Sequence, residues 1–495
     1  MNARDGFMAA VSARSEGGAE MSGDAVVVGS GPNGLVAAIL LAQAGREVVL
    51  LEAADQFGGG LRSAELTLPG RVHDMGATVM AMALASPAFR ELGKSGSAPK
   101  EPVLGAVEFV HPEVVVAHPL DDRPAVLVHR DARRTAAGLG RDAAVWQATV
   151  GAAARAGFPL VDLMLKPLGP WEPRPRAFAQ AARFGVAAAL PVTTLARRAF
   201  RTVEGRAVLA GMAAHSMLDL RSPITSGYGL LLGALAHLVG WPVVKGGSQV
   251  LADALVARFR ALGGVAVSGH RVRRLGELDA ETVVLDVTPR QLLAMAELPA
   301  GYRRGLERYR YGPGVFKLDW ALDGPVPWRD PAVAAAGTVH LGGTLEEIAL
   351  SEAEMARGRH SPRPYVLLVQ PYAADDSRGG HTLWAYCHVP NGSRVDMTDA
   401  IEGQIERFAP GFRDRVLARH AMGPAELEAG NANLVGGDIG GGLASLGQFV
   451  RRPVWSVAPW RTPLPGVFLC SASTPPGAAV HGMGGWQAAR LALKR

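Results

Sequence analysis

Residues 24–52 narrow what this chain can fold into more than any other stretch. Ala25 to Val28 form a short apolar run that reads as a buried strand, and it leads straight into the turn Gly29-Ser30-Gly31-Pro32-Asn33-Gly34. Asn33 opens a helical stretch that ends at Gly45, a residue type that stops helices, and a second apolar strand then finishes on Glu52. Gly29, Gly31 and Gly34 stand in GxGxxG register. The first permits the tight turn, the second leaves room for a pyrophosphate at the backbone, and the third lets the helix pack closely on the sheet. Glu52 follows Gly34 by about 18 positions, where a carboxylate can accept hydrogen bonds from ribose hydroxyls. A glycine run alone is only a turn. With strand, helix, second strand and terminal acid around it, the reading is a dinucleotide-binding βαβ unit, with free N–H groups of the helix start turned to the phosphates.

That unit does not separate FAD from NAD, but the next residues do. Gly58, Gly59 and Arg62 follow Glu52 in EAADQFGGGLRS. This resembles the second glycine pair of the flavoproteins that include amine oxidases and carotenoid desaturases. In that group the loop approaches the pyrophosphate and the arginine lies on the flavin side. The segments ELTLPGRVHDMGATVMAMALASPAF, YGPGVFKLDWALDGPVPW, TVHLGGTLEEIALSEA, HTLWAYCHVPNGS and GGDIGGG continue the likeness, as does PGVFLCSASTPPGAAVHGMGGWQAARLAL at the C-terminus. Together they resemble the phytoene desaturase-like FAD-dependent oxidoreductases from about Asp24 onward.

The resemblance implies an α/β fold: a discontinuous Rossmann-like FAD-binding domain with an inserted α+β substrate domain. The expected division is a disordered tail over 1–22, flavin domain over 23–105, 241–300 and 431–495, and substrate domain over 106–240 and 301–430. It implies that Asn33 joins the cofactor set, that the backbone of Val272 faces the adenine, and that Ala472, Val480, His481 and Gly482 contact the flavin. A buried valine in a strand accounts for Val272 equally well. Ser471 and Ala472 stand where many related flavoproteins carry an acid, so no carboxylate contact transfers there. His481 is the polar candidate beside the flavin ring; packing or capping of the last helix is its competing role. Asp286 reads as a turn or cap residue.

Elsewhere, HPEVVVAHPLDDRPAVLVHRD alternates as a hairpin about DDRP. Helices are expected from about Asp131 to Val239, and VAVSGHRVRRL reads as two short β-like runs. Ser248 is a candidate N-cap for the helix that follows it. The cluster at Gly436–Gly447 lacks a preceding strand and a downstream strand ending in an acid, and is rejected as a nicotinamide site.

Net charge is +6, with arginines such as Arg197, Arg198 and Arg201 spread over helical stretches, which does not make a nucleic-acid footprint. Cys387 and Cys470 are the two cysteines, and neither disulfide framework nor metal spacing occurs. A reducing cytoplasmic setting fits, and so does peripheral contact with the inner face of a membrane. Gly227 to Val244 lacks Asp, Glu, Lys and Arg, but Pro242 and His237 interrupt it, and a core helix is the expected reading. The first twenty residues read as a tail, with Met21 as an alternative start.

No hydrolase elbow, zincin or P-loop pattern competes. The expectation is an FAD-dependent dehydrogenase or desaturase of a small hydrophobic, polyene- or isoprenoid-like substrate, with electrons leaving to oxygen, a quinone or another diffusible acceptor. No metal is expected. An amine oxidase-like enzyme and a non-catalytic FAD-stabilised protein are the alternatives, the first disfavoured by an aromatic content of 6%.

Overall fold

The computed structural model describes residues 21–92, 103–166 and 175–494, so most of the expected tail lies outside the described residues. In chain order the longer strands begin with β1 (Met21–Val28), β2 (Val48–Leu51), β3 (Val114–His118) and β4 (Val126–Val128). There follow β5 (Val265–Val267), β6 (Leu278–Leu285), β7 (Gly314–Leu322) and β8 (Ala336–Leu341). The last are β9 (Val366–Val369), β10 (His381–Val389), β11 (Val416–Met422) and β12 (Val467–Leu469). The helices used below are α1 (Pro32–Gln43), α2 (Val150–Leu165), α3 (Val203–Ala214), α4 (Thr225–Leu238) and α5 (Gln249–Ala261). They continue with α6 (Pro289–Met295), α7 (Leu345–Ala356), α8 (Thr398–Phe408) and α9 (Met483–Ala492).

The first sheet is parallel throughout, in the order β12-β6-β1-β2-β5. Both its faces are covered, which explains why β1 and β2 are apolar at consecutive positions. Ala25, Val27, Val48 and Leu50 pack on the side of α1 and α5. Val26, Val28, Val49 and Leu51 pack on the other side, with Leu292 and Met295 of α6. From β1 the chain moves one way to β2, while β6 lies on the other side of β1. The crevice for a dinucleotide in such a sheet lies where strand order reverses, here between the carboxyl ends of β1 and β6.

Of the two β-like runs expected in VAVSGHRVRRL, only Val265–Val267 is a strand. Its residues pair with β2, and the run from His270 to Arg274 forms no strand. The hairpin about DDRP forms as β3 and β4, antiparallel. It belongs to a seven-stranded sheet ordered β11-β7-β10-β9-β8-β3-β4. One face of this sheet is apolar: Phe316, Leu318, Trp320 and Leu322 pack with Ile401, Ile405 and Phe408 of α8. The other face is described with the site.

Helix α4 carries most of the uncharged run from Gly227, and Leu230, Leu235 and Ala236 are buried in the main core. His237 is absorbed there: it accepts from Trp146 Nε1 at 2.9 Å and donates through Nδ1 to the His129 carbonyl at 2.9 Å. Among the described residues one helical stretch, Gly140–Leu165, is long and apolar enough to cross a membrane by length and composition. Its backbone leaves helical geometry at Gly157 (φ 63°), and Pro159 follows.

Candidate functional site

The glycine turn leaves β1 and enters α1 as the sequence predicts. Glu52, at the end of β2, does more than point at the crevice. Its Oε2 accepts from Ser30 N at 2.9 Å and Ser30 Oγ at 2.6 Å, and its Oε1 accepts from Ala54 N at 2.9 Å. Ser30 Oγ in turn accepts from Gly58 N at 3.0 Å, so the two glycine loops are tied through one hydroxyl. Gly59 packs directly on the first loop: a Cβ there would lie 2.9 Å from Gly31 Cα. Its φ of 57° also favours glycine. Arg62 donates from Nε to Gly59 O at 3.1 Å and from an Nη to Gly430 O at 2.6 Å, bracing the second loop against a distant segment.

Asp286 is the residue the sequence reading undervalued. It follows β6 at the strand-order switch, is 6% exposed, and its Oδ2 accepts from Gly34 N at 3.2 Å. A Cβ on Gly31 would lie 2.7 Å from that same oxygen. The space that the second glycine leaves open therefore faces a carboxyl. Burial raises the pKa of Asp286 to about 7, with the nearby charge of Glu52 pushing the same way and the Gly34 N–H opposing.

Val272 is half-buried beyond β5, where its neighbours follow the end of β2: Gly269 N donates to Ala54 O at 2.9 Å and His270 N to Glu52 O at 2.8 Å. At the other end of the chain, α9 crosses α1. Asn33 Oδ1 accepts from Gly484 N at 3.1 Å, so this side chain clamps the two helices together. Ser248 does not cap α5 with its side chain, which instead donates to Ala77 O at 2.6 Å. The helix start is held from outside: Asp74 Oδ1 accepts from Ser248 N at 2.8 Å, and Ser63 Oγ from Gln249 N at 3.1 Å. Asp74 is buried with Arg378 at 2.7 Å; burial pushes its pKa up, but Arg378 and the hydrogen bonds hold it below the usual value.

His481 and its neighbours form a tight loop before α9. Its Nδ1 accepts from Met483 N at 3.0 Å, its carbonyl accepts from Ser86 Oγ at 2.5 Å, and burial lowers its pKa to about 4. The capping role considered for it is thus present, and among the described residues its buried Nε2 has no hydrogen-bond partner. Gly482 (φ 64°) lies against α1, where a Cβ would come 2.4 Å from Val36 Cγ2. Val480 is buried in the main core, and the Ala472 carbonyl accepts from Arg452 Nε at 3.0 Å. Ala479 holds φ 125°, a conformation rare outside glycine, and such strain gathers at ligand-binding segments. The cluster Gly436–Gly447 packs on this loop through Gly441, whose carbonyl accepts from Ser473 Oγ at 2.8 Å and Tyr309 Oη at 2.6 Å.

The second face of the seven-stranded sheet supplies what the sequence reading missed. Lys317 and Asp319 on β7 lie opposite Tyr386 and Trp384 on β10. Lys317 Nζ donates to both Asp319 oxygens at 2.5 and 2.6 Å. Trp384 donates to Thr78 Oγ1 at 2.9 Å and stacks on Tyr386 at 5.8 Å, joining this face to the segment that follows the second glycine loop. Two residues on, His388 Nδ1 donates to Glu352 Oε2 at 2.8 Å, and among the described residues neither His388 Nε2 nor Glu352 Oε1 has a partner. His340 on β8 meets His215 at 3.0 Å, and His118 on β3 donates to Gly343 O at 2.7 Å. Burial lowers His215 to about 3 and His118 to about 4, so both are neutral imidazoles. Tyr386 and His215 are half-buried while the residues flanking them in sequence are buried.

A sequence signal for this face existed. Lys317 and Asp319 alternate with Phe316, Leu318 and Trp320, and Trp384, Tyr386 and His388 alternate with Leu383, Ala385 and Cys387. Period-two alternation puts each set on one face of its strand. The low aromatic content that weighed against an amine site also proves a poor guide, because Tyr365, Trp384 and Tyr386 gather on this one face.

A family model described as an NAD(P)-binding Rossmann-like domain matches residues 27–93. Pyridine nucleotide-disulfide oxidoreductase domain-containing protein 2 of Rattus norvegicus is 25% identical, over 95% of this chain and 93% of its own. A limonene dehydrogenase polypeptide of Castellaniella defragrans is 30% identical over 118 residues, 24% of this chain and 20% of its own. Among solved structures, cyclohexylamine oxidase of Brevibacterium oxydans superposes with a TM-score of 0.55 at 15% identity, over 96% of this chain and 100% of its own. The chain is an oxidoreductase with a Rossmann-like dinucleotide-binding domain, and it shares its fold with cyclohexylamine oxidase.

Proposed function

We propose that the chain is an FAD-dependent dehydrogenase of a small, largely hydrophobic substrate. The observation that carries the reading is the double glycine cradle, in which Gly59 is packed on Gly31 and Ser30 joins Glu52 to Gly58. These residues fit an adenine dinucleotide. Glu52 would hold the ribose, the turn before α1 the pyrophosphate, and the loop from Ala472 to Gly482 the far end of the cofactor. A bound flavin supplies two-electron chemistry; the protein supplies position, electrostatics and exclusion of water.

Desaturation by analogy to phytoene desaturase-like enzymes is supported by the sequence segments given above, and a terpene-sized substrate by the local likeness to limonene dehydrogenase. The polar inner face favours a second reading beside it, a substrate with an apolar body and one hydrogen-bonding group, as in an amine or alcohol oxidation. Met217, Val315, Met422 and Leu427 form an apolar cluster beside Tyr386, which could seat such a body. Direct use of oxygen or a quinone as acceptor, and peripheral contact with a membrane, are part of the same proposal.

The test is to record the visible spectrum of the purified protein, release its cofactor by acid, and reconstitute with FAD. Stoichiometric FAD, bleached anaerobically by limonene, a matched terpene alcohol or cyclohexylamine, is the expected result. Failure to take up FAD would refute the cofactor assignment. Bleaching only by the alcohol or the amine would decide for the second reading.

A further inference from the structure

We propose that Asp286 is a cofactor-binding residue that works in its protonated form, its carboxyl donating to the pyrophosphate across Gly31, so that the dinucleotide is taken up together with a proton. The inference rests on the dinucleotide reading of the crevice. Three observations carry it. Asp286 stands at the carboxyl end of β6, next to β1, at the point where strand order reverses. Its Oδ2 lies 2.7 Å from where a Gly31 Cβ would be, the space that glycine keeps clear for a phosphate. The same oxygen already accepts the Gly34 N–H at 3.2 Å, one of the donors at the start of α1 that would otherwise serve the anion.

An ionised Asp286 would set a negative charge against a pyrophosphate at contact distance inside a water-poor crevice. Two such anions cannot share the site, and the cheaper resolution is a proton on the carboxyl, as for paired carboxylates. A protonated carboxyl keeps an acceptor for Gly34 N–H and gains a donor for a phosphate oxygen. The groups that face Asp286 make this direction consistent. From β2 comes Glu52, whose charge disfavours ionisation. The Cys470 thiol, from the end of β12, is neutral and itself pushed up by burial and by Asp286. From the start of α1 comes only the Gly34 N–H, and Asn433 Nδ2 binds the Asp286 carbonyl at 2.8 Å, not its carboxyl. Burial, with the Glu52 charge adding to it and the Gly34 N–H opposing, brings the pKa of Asp286 to about 7, so the residue titrates in the range where uptake is measured.

The sign follows. If the protonated protein is the binding-competent form, apparent affinity is flat below pH 7 and weakens above it in proportion to the protonated fraction. From pH 6 to pH 8 the dissociation constant should rise about tenfold. The experiment uses the full chain stripped of cofactor, with FAD and separately ADP-ribose as ligands, titrated from pH 6 to 8. ADP-ribose carries the pyrophosphate with no flavin and no terminal phosphate to titrate. Wild type should weaken about tenfold for both ligands, and calorimetry at pH 7.5 in two buffers of different ionisation heat should show uptake of about 0.75 proton. Asp286→Asn, which offers an acceptor and a donor at all pH values, should bind both with no pH dependence and no proton uptake. Equal pH profiles for wild type and Asp286→Asn, or a slope seen with FAD but absent with ADP-ribose, would overturn the proposal. Binding of neither ligand at any pH would instead overturn the dinucleotide reading on which it rests. Should Asp286→Asn fail to fold, the wild-type proton count decides alone.

Discussion

Replacing Lys317 by Met should destabilise the protein by about 3–5 kcal/mol, because it strands a buried charge. Lys317 is 3% exposed and Asp319 is not exposed at all, and the ammonium contacts both carboxylate oxygens at 2.5 and 2.6 Å. Once the ammonium is gone, what remains beside Asp319 from this cluster is the His73 imidazole, at 3.5 Å. Desolvation of Asp319 is then uncompensated, whereas in the native pair it is offset by attraction at short range. The double variant Lys317→Met/Asp319→Leu removes both charges from the same face and should recover to within about 1 kcal/mol of wild type, since replacing a buried pair by apolar groups is often neutral. Urea unfolding followed by tryptophan emission suits the question, because Trp320 and Trp384 flank the pair on β7 and β10. A single variant as stable as wild type, or a double variant as weak as the single, would refute the reasoning.

Two further outcomes follow from packing and protonation. Gly485→Ala would set a Cβ 1.8 Å from Asn33 O, forcing α9 off α1. The expected cost is about 1–3 kcal/mol with loss of retained FAD on gel filtration, while Gly403→Ala in α8, with nothing near its Cβ, should be neutral or slightly stabilising. His118 and His215 have folded-state pKa values lowered to about 4 and about 3 by burial, so the unfolded chain binds protons that the folded one refuses. Their contribution is complete above pH 6.5 and is lost as pH falls toward 4. Unfolding midpoints measured at pH 7, 6 and 5 should therefore decline, and less steeply in His118→Gln.

The βαβ unit, the second glycine loop and the returning helix α9 were legible because their signals are local. Glycine spacing, helix stops and apolar runs are all set within a few residues of one another. Contacts made across the chain were not. Asp286 and Gly34 are 252 positions apart, and only the adjacency of β1 and β6 brings them together. The same holds for the start of α5. The local rule named Ser248 as its cap, yet Ser63 and Asp74, far earlier in the chain, take that work because β-paired residues 63–64 and 73–74 run past it. The polar face of the seven-stranded sheet was missed for another reason. Its alternation was visible, but an alternating strand reads as half-exposed, and here both faces are covered.

That buried polar face bears on what the enzyme can accept. Buried imidazoles, tyrosines and an ion pair cost desolvation energy unless satisfied, and each orphaned polar atom costs about 1–3 kcal/mol. Among the described residues, His118 Nδ1, His340 Nδ1, His388 Nε2, Glu352 Oε1 and Thr382 Oγ1 have no hydrogen-bond partner. A pocket selected only to hold hydrocarbon would gain stability by replacing these groups with leucine and phenylalanine, as the opposite face of the same sheet has done. Through Thr78 and Trp384 this face is also tied to the segment beyond the second glycine loop. This cost supports the proposed reading of a substrate with one hydrogen-bonding group. Exchanging Tyr386 for Phe separates the cases: it should weaken binding of an alcohol or amine by about 0.5–1.5 kcal/mol while leaving a matched hydrocarbon unaffected, as read by perturbation of the flavin spectrum. Equal weakening of both would show that the ring alone matters there, and would return the hydrocarbon reading to first place.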